Sequence, residues 1–164
     1  MKISKYLLLT NNFNSGIFME KLIITSPVFT NNNFIPEKYS CDGEDLNPPI
    51  FIDKVPAKTK SLALIIDDPD ASSGSFVHWI IWNVDPKLTQ IAEDSVPGVE
   101  GLNSGGRKGY TGPCPPSGTH RYFFKVFAID TMISLTANSK KGDLEKAVKG
   151  HVLAAGEIIG LYRR

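Results

Sequence analysis

From Lys21 onward the chain consists of short apolar runs separated by polar segments rich in Gly, Pro, Asn and Asp. The runs contain many β-branched and aromatic residues and are bounded by turn-forming residues, a pattern typical of β-strands. They read KLIITSPVF, PPIFI, SLALIID, VHWIIWNV, YFFKVFAI and AGEIIGLY. This pattern predicts a mainly β protein.

Several central runs are apolar on both faces, as VHWIIWNV shows. A strand that is covered by protein on both sides has this pattern. Regular alternation would place His78 at the rim of one of these faces. The other residues of that face are Ile80, Trp82 and Val84. Large aromatic residues of the central runs are expected in the core; these are Trp79, Trp82, Phe123, Phe124 and Phe127.

One segment, DLEKAVKG, has the features of a helix, because Asp143 can cap its start and Gly150 can end it. Together with the strands it predicts an antiparallel β-sandwich of the Greek-key type with one or two short helices. The sequence has no internal repeat and no linker. Residues 21–164 are therefore predicted to form a single domain.

The first residues, MKISKYLLLTNNFNSGIF, contain two lysines followed by an apolar run that Thr10 interrupts. This run is shorter than the apolar region of a secretory signal peptide. We expect residues 1–20 to be a disordered extension, or Met19 to be the true start. A cytoplasmic location follows, with the periplasm or secretion as the alternative if residues 1–18 act as a signal. No run reaches the ~18 apolar residues of a membrane span, so we expect a soluble protein.

Composition and charge exclude some classes of partner. The hydrophobic fraction of 41% and the charged fraction of 21% are ordinary for a globular protein. With 18 basic and 17 acidic residues the formal charge is +1, which favours neither nucleic acid nor an anionic membrane as a partner. Any anion would have to be held by a local site.

The two cysteines, Cys41 and Cys114, both lie in irregular segments, and neither is part of a CxxC pair that would suggest zinc. A single bridge between them is one interpretation. Two buried free thiols are the simpler one.

Two segments place ionisable residues at the ends of predicted strands. In IIDDPDASSGSFVHW, Asp68 ends one strand, Pro69 stops the strand pairing, Asp70 follows, and His78 opens the next strand. In GPCPPSGTHRYFFKVFAID, His120 directly precedes a strand. Histidine offers N–H donors whose tautomer a carboxylate can fix, glycine allows close approach to the main chain, and prolines form rigid walls. The combination suits a pocket for phosphate or carboxylate.

Simpler interpretations exist for each residue taken alone. Asp68 can cap the Asp-Pro turn, and a single histidine in a strand is more often structural than a ligand contact. Arg121 is best explained by a salt bridge to a loop carboxylate. Only the combination of two histidines with the DPD segment favours a pocket.

DDPDASSGSFVHW and GPCPPSGTHRYFFKVFAID resemble the two signature regions of the phosphatidylethanolamine-binding protein family, in particular its short bacterial and archaeal branch, the Raf kinase inhibitor-like proteins. YSCDGEDLNPPIFIDKVP and GHVLAAGEIIGLY resemble that branch as well. The resemblance extends from about Lys21 to Tyr162, which is nearly the whole chain beyond the N-terminal extension.

The resemblance implies a β-sandwich with a small pocket at one edge that binds phosphate-like and carboxylate anions, including phospholipid head groups in animal members. It implies no metal and no cofactor. Animal members carry a C-terminal helix over the pocket, and this chain ends at Arg164 as the short branch does, so a more open pocket is expected. By motif position, the ligand-binding residues would be Asp68, Asp70, His78, Gly112, Pro113, His120 and Tyr122.

One departure from the family pattern concerns the segment DPDAS. Ser72 stands where the family usually has a proline that follows a cis peptide bond. A cis bond before serine would cost about 2.5–4 kcal/mol. The loop is therefore either trans, with a shifted pocket wall, or held in a rare cis form.

The leading hypothesis is a non-catalytic, regulatory protein that binds a small anionic ligand, since no serine lies in a GxSxG pattern. An inhibitor that engages a serine protease or a kinase through rim loops is the alternative. A small hydrolase using Cys114 or Ser117 is a third class. The sequence leaves a homodimer open.

Overall fold

The structure, a computed structural model, describes residues 20–164. The predictions made for residues 1–19 lie outside this range. The strands are β1 (Glu20–Lys21), β2 (Ile23–Thr25), β3 (Asn33–Phe34), β4 (Ile50–Asp53), β5 (Ser61–Asp68), β6 (Phe76–Val84), β7 (Gln90–Ile91), β8 (Val99–Glu100), β9 (Thr119–Ile129) and β10 (Val152–Arg163). A 3₁₀ turn, Glu37–Tyr39, and one helix, α1 (Lys141–Val148), complete the elements of this range. The prediction of a mainly β protein is confirmed.

The strands form two sheets. The seven-stranded sheet has the order β1-β10-β9-β5-β6-β8, with β3 also paired to β10, and the three-stranded sheet has the order β2-β4-β7. The large sheet is mixed, because β1 and β3 both run parallel to β10, whereas the sequence predicted antiparallel sheets. Each is only two residues long, and β10, with 12 residues, has an edge long enough for both. The Greek-key connection stays a prediction.

The large sheet is covered on both faces, as the apolar runs predicted. All eight residues of β5 are buried. Toward the small sheet, the core of the large sheet consists of residues that include Leu64, Ile66, Trp79, Ile81, Phe124 and Val126, packed with Ile24, Ile50, Ile52 and Ile91. Toward α1 it includes Ile65, Ile80, Trp82, Phe127, Leu144 and Val148. Of the predicted core aromatics, only Phe123 is not fully buried.

Helix α1 begins at Lys141, two residues before the predicted start. Asp143 therefore lies in the first turn instead of at the cap, and its carboxylate accepts a hydrogen bond from the Lys140 backbone N–H at 2.9 Å. A carboxylate at this position can satisfy a free N–H just as a capping residue does. Gly150 follows the helix with φ of +83°, which a side chain would disfavour, and the predicted end is confirmed.

Strand β6 contains a bulge where it pairs with β5. Ile66 is opposite Trp79, but the next residue, Asp67, is opposite Val77, so His78 is an extra residue without a partner. A bulge interrupts the regular alternation of side chains and re-aims those around it.

Because of this bulge, the predicted direction of the His78 side chain was wrong. Its ring contacts the Tyr122 ring, with centroids 5.1 Å apart, on the face of the sheet that also carries Trp79. Regular alternation had placed it on the opposite face, with Trp82. A second register shift near the end of β6 moves Val84 to the Trp79 face as well. The local irregularity of β6 thus directs an imidazole toward the side chains of β9.

Among the helices of residues 20–164, none is both long and apolar enough to cross a lipid bilayer.

Candidate functional site

A cavity of about 210 Å³ lies at one end of β5, β6 and β9. Its walls come from these strands, from the loop after β5 and from the Gly- and Pro-rich segment before β9. The lining residues are Asp68, Ala71, Ser72, Ser73, Phe76, His78, Thr111, Gly112, Cys114, Pro115, Pro116, His120 and Tyr122. Five of the seven residues proposed from the sequence are in this set; Asp70 and Pro113 are not.

The side chains of Asp67 and Asp68, the last two residues of β5, point to opposite faces of the sheet. Asp67 lies on the α1 side, where its buried carboxylate pairs with Lys125 at 2.6 Å and with Lys141. Asp68 lies on the cavity side. Because successive side chains of a strand point to opposite faces, only the second carboxylate of the DD pair can reach the cavity.

Asp68 and His120 form a buried pair across the neighbouring strands β5 and β9. His120 Nδ1–H donates to Asp68 Oδ2 at 2.7 Å, and the exposed fractions of the two side chains are only 12% and 5%. The other carboxylate oxygen of Asp68 accepts the Asp70 backbone N–H at 2.7 Å. With both oxygens engaged, the carboxylate fixes which nitrogen of His120 carries the proton.

His78 is held by a different acceptor. Its Nδ1–H donates to the Thr111 carbonyl oxygen at 2.6 Å, and its ring lies against Phe76 with centroids 4.8 Å apart. Burial lowers the pKa of His78, although the Thr111 carbonyl and the Asp68 carboxylate oppose this. A neutral imidazole whose Nδ1 bears the proton has an acceptor at Nε2.

Tyr122 contributes a buried hydroxyl group to the cavity. It is 1% exposed, and within the described residues the phenol oxygen makes no hydrogen bond of normal length and angle, although the Cys114 backbone N–H acts on it. Burial raises the pKa of Tyr122, and the Asp68 carboxylate adds to this, while the Cys114 backbone amide opposes it in part. The phenol therefore stays protonated and can donate a hydrogen bond to a ligand. An unpaired buried hydroxyl is costly, which suggests that a ligand or water completes it.

Gly112 lines the cavity without offering a free polar group, and Pro113 lies outside the lining. The Gly112 N–H donates to Asp45 Oδ1 at 2.6 Å, so it is not free to bind an anion. A Cβ atom at Gly112 would lie 2.5 Å from the Tyr39 carbonyl oxygen, so only glycine fits this close approach. Pro113 is buried behind the wall, where its carbonyl accepts the Cys41 N–H at 3.1 Å.

Cys41 and Cys114 form a disulfide, with Cα atoms 5.5 Å apart, which corrects the interpretation as two free thiols. The backbone hydrogen bond between Cys41 and Pro113 brings the two loops together. This proximity is tertiary, and no local feature of either loop indicates it. Since Cys114 lines the cavity, the disulfide ties one cavity wall to the segment that follows the 3₁₀ turn.

Asp70 makes a two-pronged contact with Arg121 outside the cavity. Arg121 Nε donates to Asp70 Oδ2 at 2.8 Å, Nη2 donates to Oδ1 at 2.7 Å, and the Arg121 backbone N–H also donates to Oδ2. The Arg121 guanidinium lowers the pKa of Asp70. The predicted salt bridge of Arg121 to a loop carboxylate is confirmed. Asp70 therefore anchors the DPD loop to β9, and it is not among the residues that line the cavity.

The loop after Asp70 forms the rim of the cavity. The residues of the described range contain no cis peptide bond, so the bond before Ser72 is trans, one of the two alternatives that the sequence left open. Ala71, Ser72 and Ser73 face the cavity. The sequence reasoning connected Ser72 with the pocket wall through the family pattern, but it did not identify Ala71, Ser73, Phe76 or Thr111. Phe76 could have been found from the pattern, because it lies two residues before His78 on the same strand.

The lining residues of the described range carry two imidazoles, one carboxylate, one phenol and the hydroxyls of Ser72, Ser73 and Thr111, and none of them is a lysine or arginine. Residues 20–164 hold no cluster of three His, Cys, Asp or Glu side chains arranged to bind a metal ion. The arrangement can exchange hydrogen bonds and protons with a small polar ligand.

Comparison with known proteins places the chain in a family. The profile described as phosphatidylethanolamine-binding protein matches residues 25–163. A UPF0098 protein of Pyrococcus horikoshii is 48% identical over 151 residues, covering 85% of this chain and 75% of that protein. A phosphatidylethanolamine-binding protein homologue from Chlamydia trachomatis has a TM-score of 0.85 and 38% identity, covering 88% of this chain and 99% of that one. YbcL of E. coli, described as a new member of the mammalian PEBP family, has a TM-score of 0.82 and 27% identity, covering 88% of this chain and 99% of that one. The chain belongs to the phosphatidylethanolamine-binding protein family, as its motifs predicted.

Proposed function

We propose that this protein binds a small oxyanion in the cavity between His78 and His120 and acts as a non-catalytic, regulatory binding protein. The oxyanion is a phosphate or carboxylate group, either free or at the end of a larger molecule. The observation that carries the proposal is that both histidines commit Nδ1 to a protein acceptor. Their Nε2 atoms and the Tyr122 hydroxyl are left for a ligand in one cavity.

The size of the cavity supports a small group as the ligand. At about 210 Å³ it is smaller than the roughly 300–1,000 Å³ of pockets for drug-sized molecules. Phe76, Pro115 and Pro116 supply apolar walls around the polar groups. A phosphate or carboxylate would fill the polar part, and the rest of a larger ligand would extend into solvent.

The surroundings of the histidines favour binding over catalysis. Nucleophilic catalysis needs a hydroxyl or thiol that is hydrogen-bonded to a base. In the part of the chain that the structure describes, no serine hydroxyl donates to either imidazole. The Cys114 sulfur is held in the disulfide. The polar groups that remain are suited to hold a ligand.

Isothermal titration calorimetry with inorganic phosphate tests the proposal on the full chain. We expect saturable binding of one phosphate per chain at millimolar or lower concentration, strongest at the acidic end of the range from about pH 5 to about pH 8 in which histidine titrates. His151→Gln is the matched control. His151 pairs with Asp130 at 2.8 Å much as His120 pairs with Asp68, but at the opposite end of β9, so this variant should bind phosphate unchanged.

Two outcomes would contradict the proposal. An absence of binding heat at every pH in this range would remove the binding function. Steady release of phosphate from a phosphomonoester, lost on replacement of His120, would replace the binding function by a hydrolytic one.

A further inference from the structure

The hydrogen bonds at the back of the cavity determine what its histidines present to a ligand. A carbonyl oxygen can only accept a hydrogen bond, so His78 must keep its proton on Nδ1, where it meets Thr111 at 2.6 Å. The Asp68 carboxylate holds the proton of His120 on Nδ1 in the same way at 2.7 Å. In the neutral state each ring therefore presents a bare Nε2 lone pair to the cavity.

The charges around the cavity do not by themselves attract a dianion. Asp68 contributes a buried negative charge, and Asp67 and Asp45 add to the negative field at His78. Of the nearby cations, Arg121 is engaged by Asp70 at 2.7 Å. Arg164 pairs with Asp42 at 3.2 Å and reaches only the Cys114 sulfur, at 3.5 Å, on the exposed side. A bound anion would therefore depend on hydroxyl donors of the lining, those of Ser72, Ser73 and Tyr122, and on protons that arrive with it.

Burial keeps one of these histidines in the neutral form. The pKa of His78 is lowered because burial disfavours the imidazolium, even though the Thr111 carbonyl and the carboxylates of Asp68, Asp67 and Asp45 favour it. The rings that pack against His78 belong to Phe76 and Tyr122 and carry no charge. Near neutral pH, His78 Nε2 is thus an acceptor that needs a partner with a proton.

We propose that this pocket selects oxyanions that carry their own proton, so that hydrogen phosphate is bound and sulfate, which has the same shape but no proton near neutral pH, is rejected. The inference rests on the function proposed above. In the complex the P–O–H group donates to His78 Nε2, and the Tyr122 hydroxyl donates to an unprotonated phosphate oxygen. The proton is shared between oxygen and nitrogen, and no bond to phosphorus forms or breaks.

Selection of this kind has a defined pH dependence. Sulfate requires an imidazolium, so above the pKa of the histidine its affinity falls as the protonated fraction falls, by up to about tenfold per pH unit. Hydrogen phosphate supplies the proton itself, and its affinity falls less steeply. The preference for phosphate over sulfate should therefore widen as the pH rises.

Calorimetric titrations with sodium phosphate and sodium sulfate at equal ionic strength, at about pH 5.5 and about pH 8, test the inference over the range in which histidine titrates. At the higher pH we expect phosphate to bind at least about tenfold more tightly than sulfate, since sulfate cannot make the hydrogen bond to a charged group that hydrogen phosphate makes. At the lower pH the difference in affinity between phosphate and sulfate should be smaller. Repeating the titrations in buffers of different ionisation enthalpy should show that sulfate takes up more protons than phosphate on binding. This readout needs no variant.

The outcomes separate the inference from the function. If neither anion binds, the proposed function fails. If both bind with equal affinity and equal proton uptake at both pH values, the function stands and the selectivity is wrong. In His78→Gln, whose amide does not titrate, the pH dependence of sulfate binding should become weaker than in the wild-type protein. A correctly folded variant that keeps the wild-type pH profile would also overturn the inference.

Discussion

Replacing both Cys41 and Cys114 by serine should lower the free energy of unfolding by about 4 kcal/mol, because the disulfide closes a loop between residues 73 positions apart. For a domain of this size a loss of that magnitude lowers the melting temperature by about 10 °C. The loss arises mainly in the unfolded chain, which gains conformational freedom. Thermal and denaturant unfolding followed by circular dichroism would measure it.

The same double variant should also bind phosphate more weakly, since Cys114 lines the cavity and its wall is tied to Cys41. Treating the wild-type protein with a dithiol reductant should reproduce both effects, and the reductant should leave the variant unchanged. If the variant is as stable as the wild-type protein, or if the reductant has no effect, the two cysteines are not joined in solution.

His120→Gln should lower the affinity for phosphate by about 10- to 100-fold, the range expected when a hydrogen bond to a charged group is lost. Two causes act in the same direction. The Nε2 contact with the ligand disappears, and the buried Asp68 carboxylate loses the N–H that it accepts at 2.7 Å. Calorimetry with inorganic phosphate measures the change.

The matched control is His151→Gln, because the exposed His151–Asp130 pair has nearly the same length, 2.8 Å, but lies away from the cavity. It should leave the affinity unchanged. A folded His120→Gln variant with wild-type affinity would show that the ligand does not contact this imidazole. An equal loss in both variants would show that phosphate binds histidine without using the cavity.

The sequence was sufficient to predict elements whose formation depends on local pattern. The buried strands β5, β6 and β9 follow from continuous apolar runs, and α1 follows from a helical segment that ends at Gly150. The two histidines and Asp68 could be assigned to strand ends for the same reason, and the structure brings these three around one cavity. The ends of strands can be located in a sequence because the pattern of residues changes there from apolar to polar.

Features that depend on strand register or on distant contacts could not be predicted in this way. The predicted direction of the His78 side chain was wrong because an uninterrupted apolar run gives no sign of a one-residue bulge in β6. The disulfide joins loops that only the folded sheet brings together. Asp70 was assigned to the pocket with Asp68 because of its position in the family motif, but the two carboxylates contact different partners, Arg121 and His120.

The most direct test of the central claim is a proton–nitrogen NMR titration of histidine-labelled protein with inorganic phosphate. The chain has three histidines, and the structure places two of them at the cavity and His151 elsewhere. We predict that the Nε2 resonances of His78 and His120 move together with one saturation curve while those of His151 stay in place. Resonances of His78 and His120 that do not move at millimolar phosphate, or that move no more than those of His151, would contradict the account.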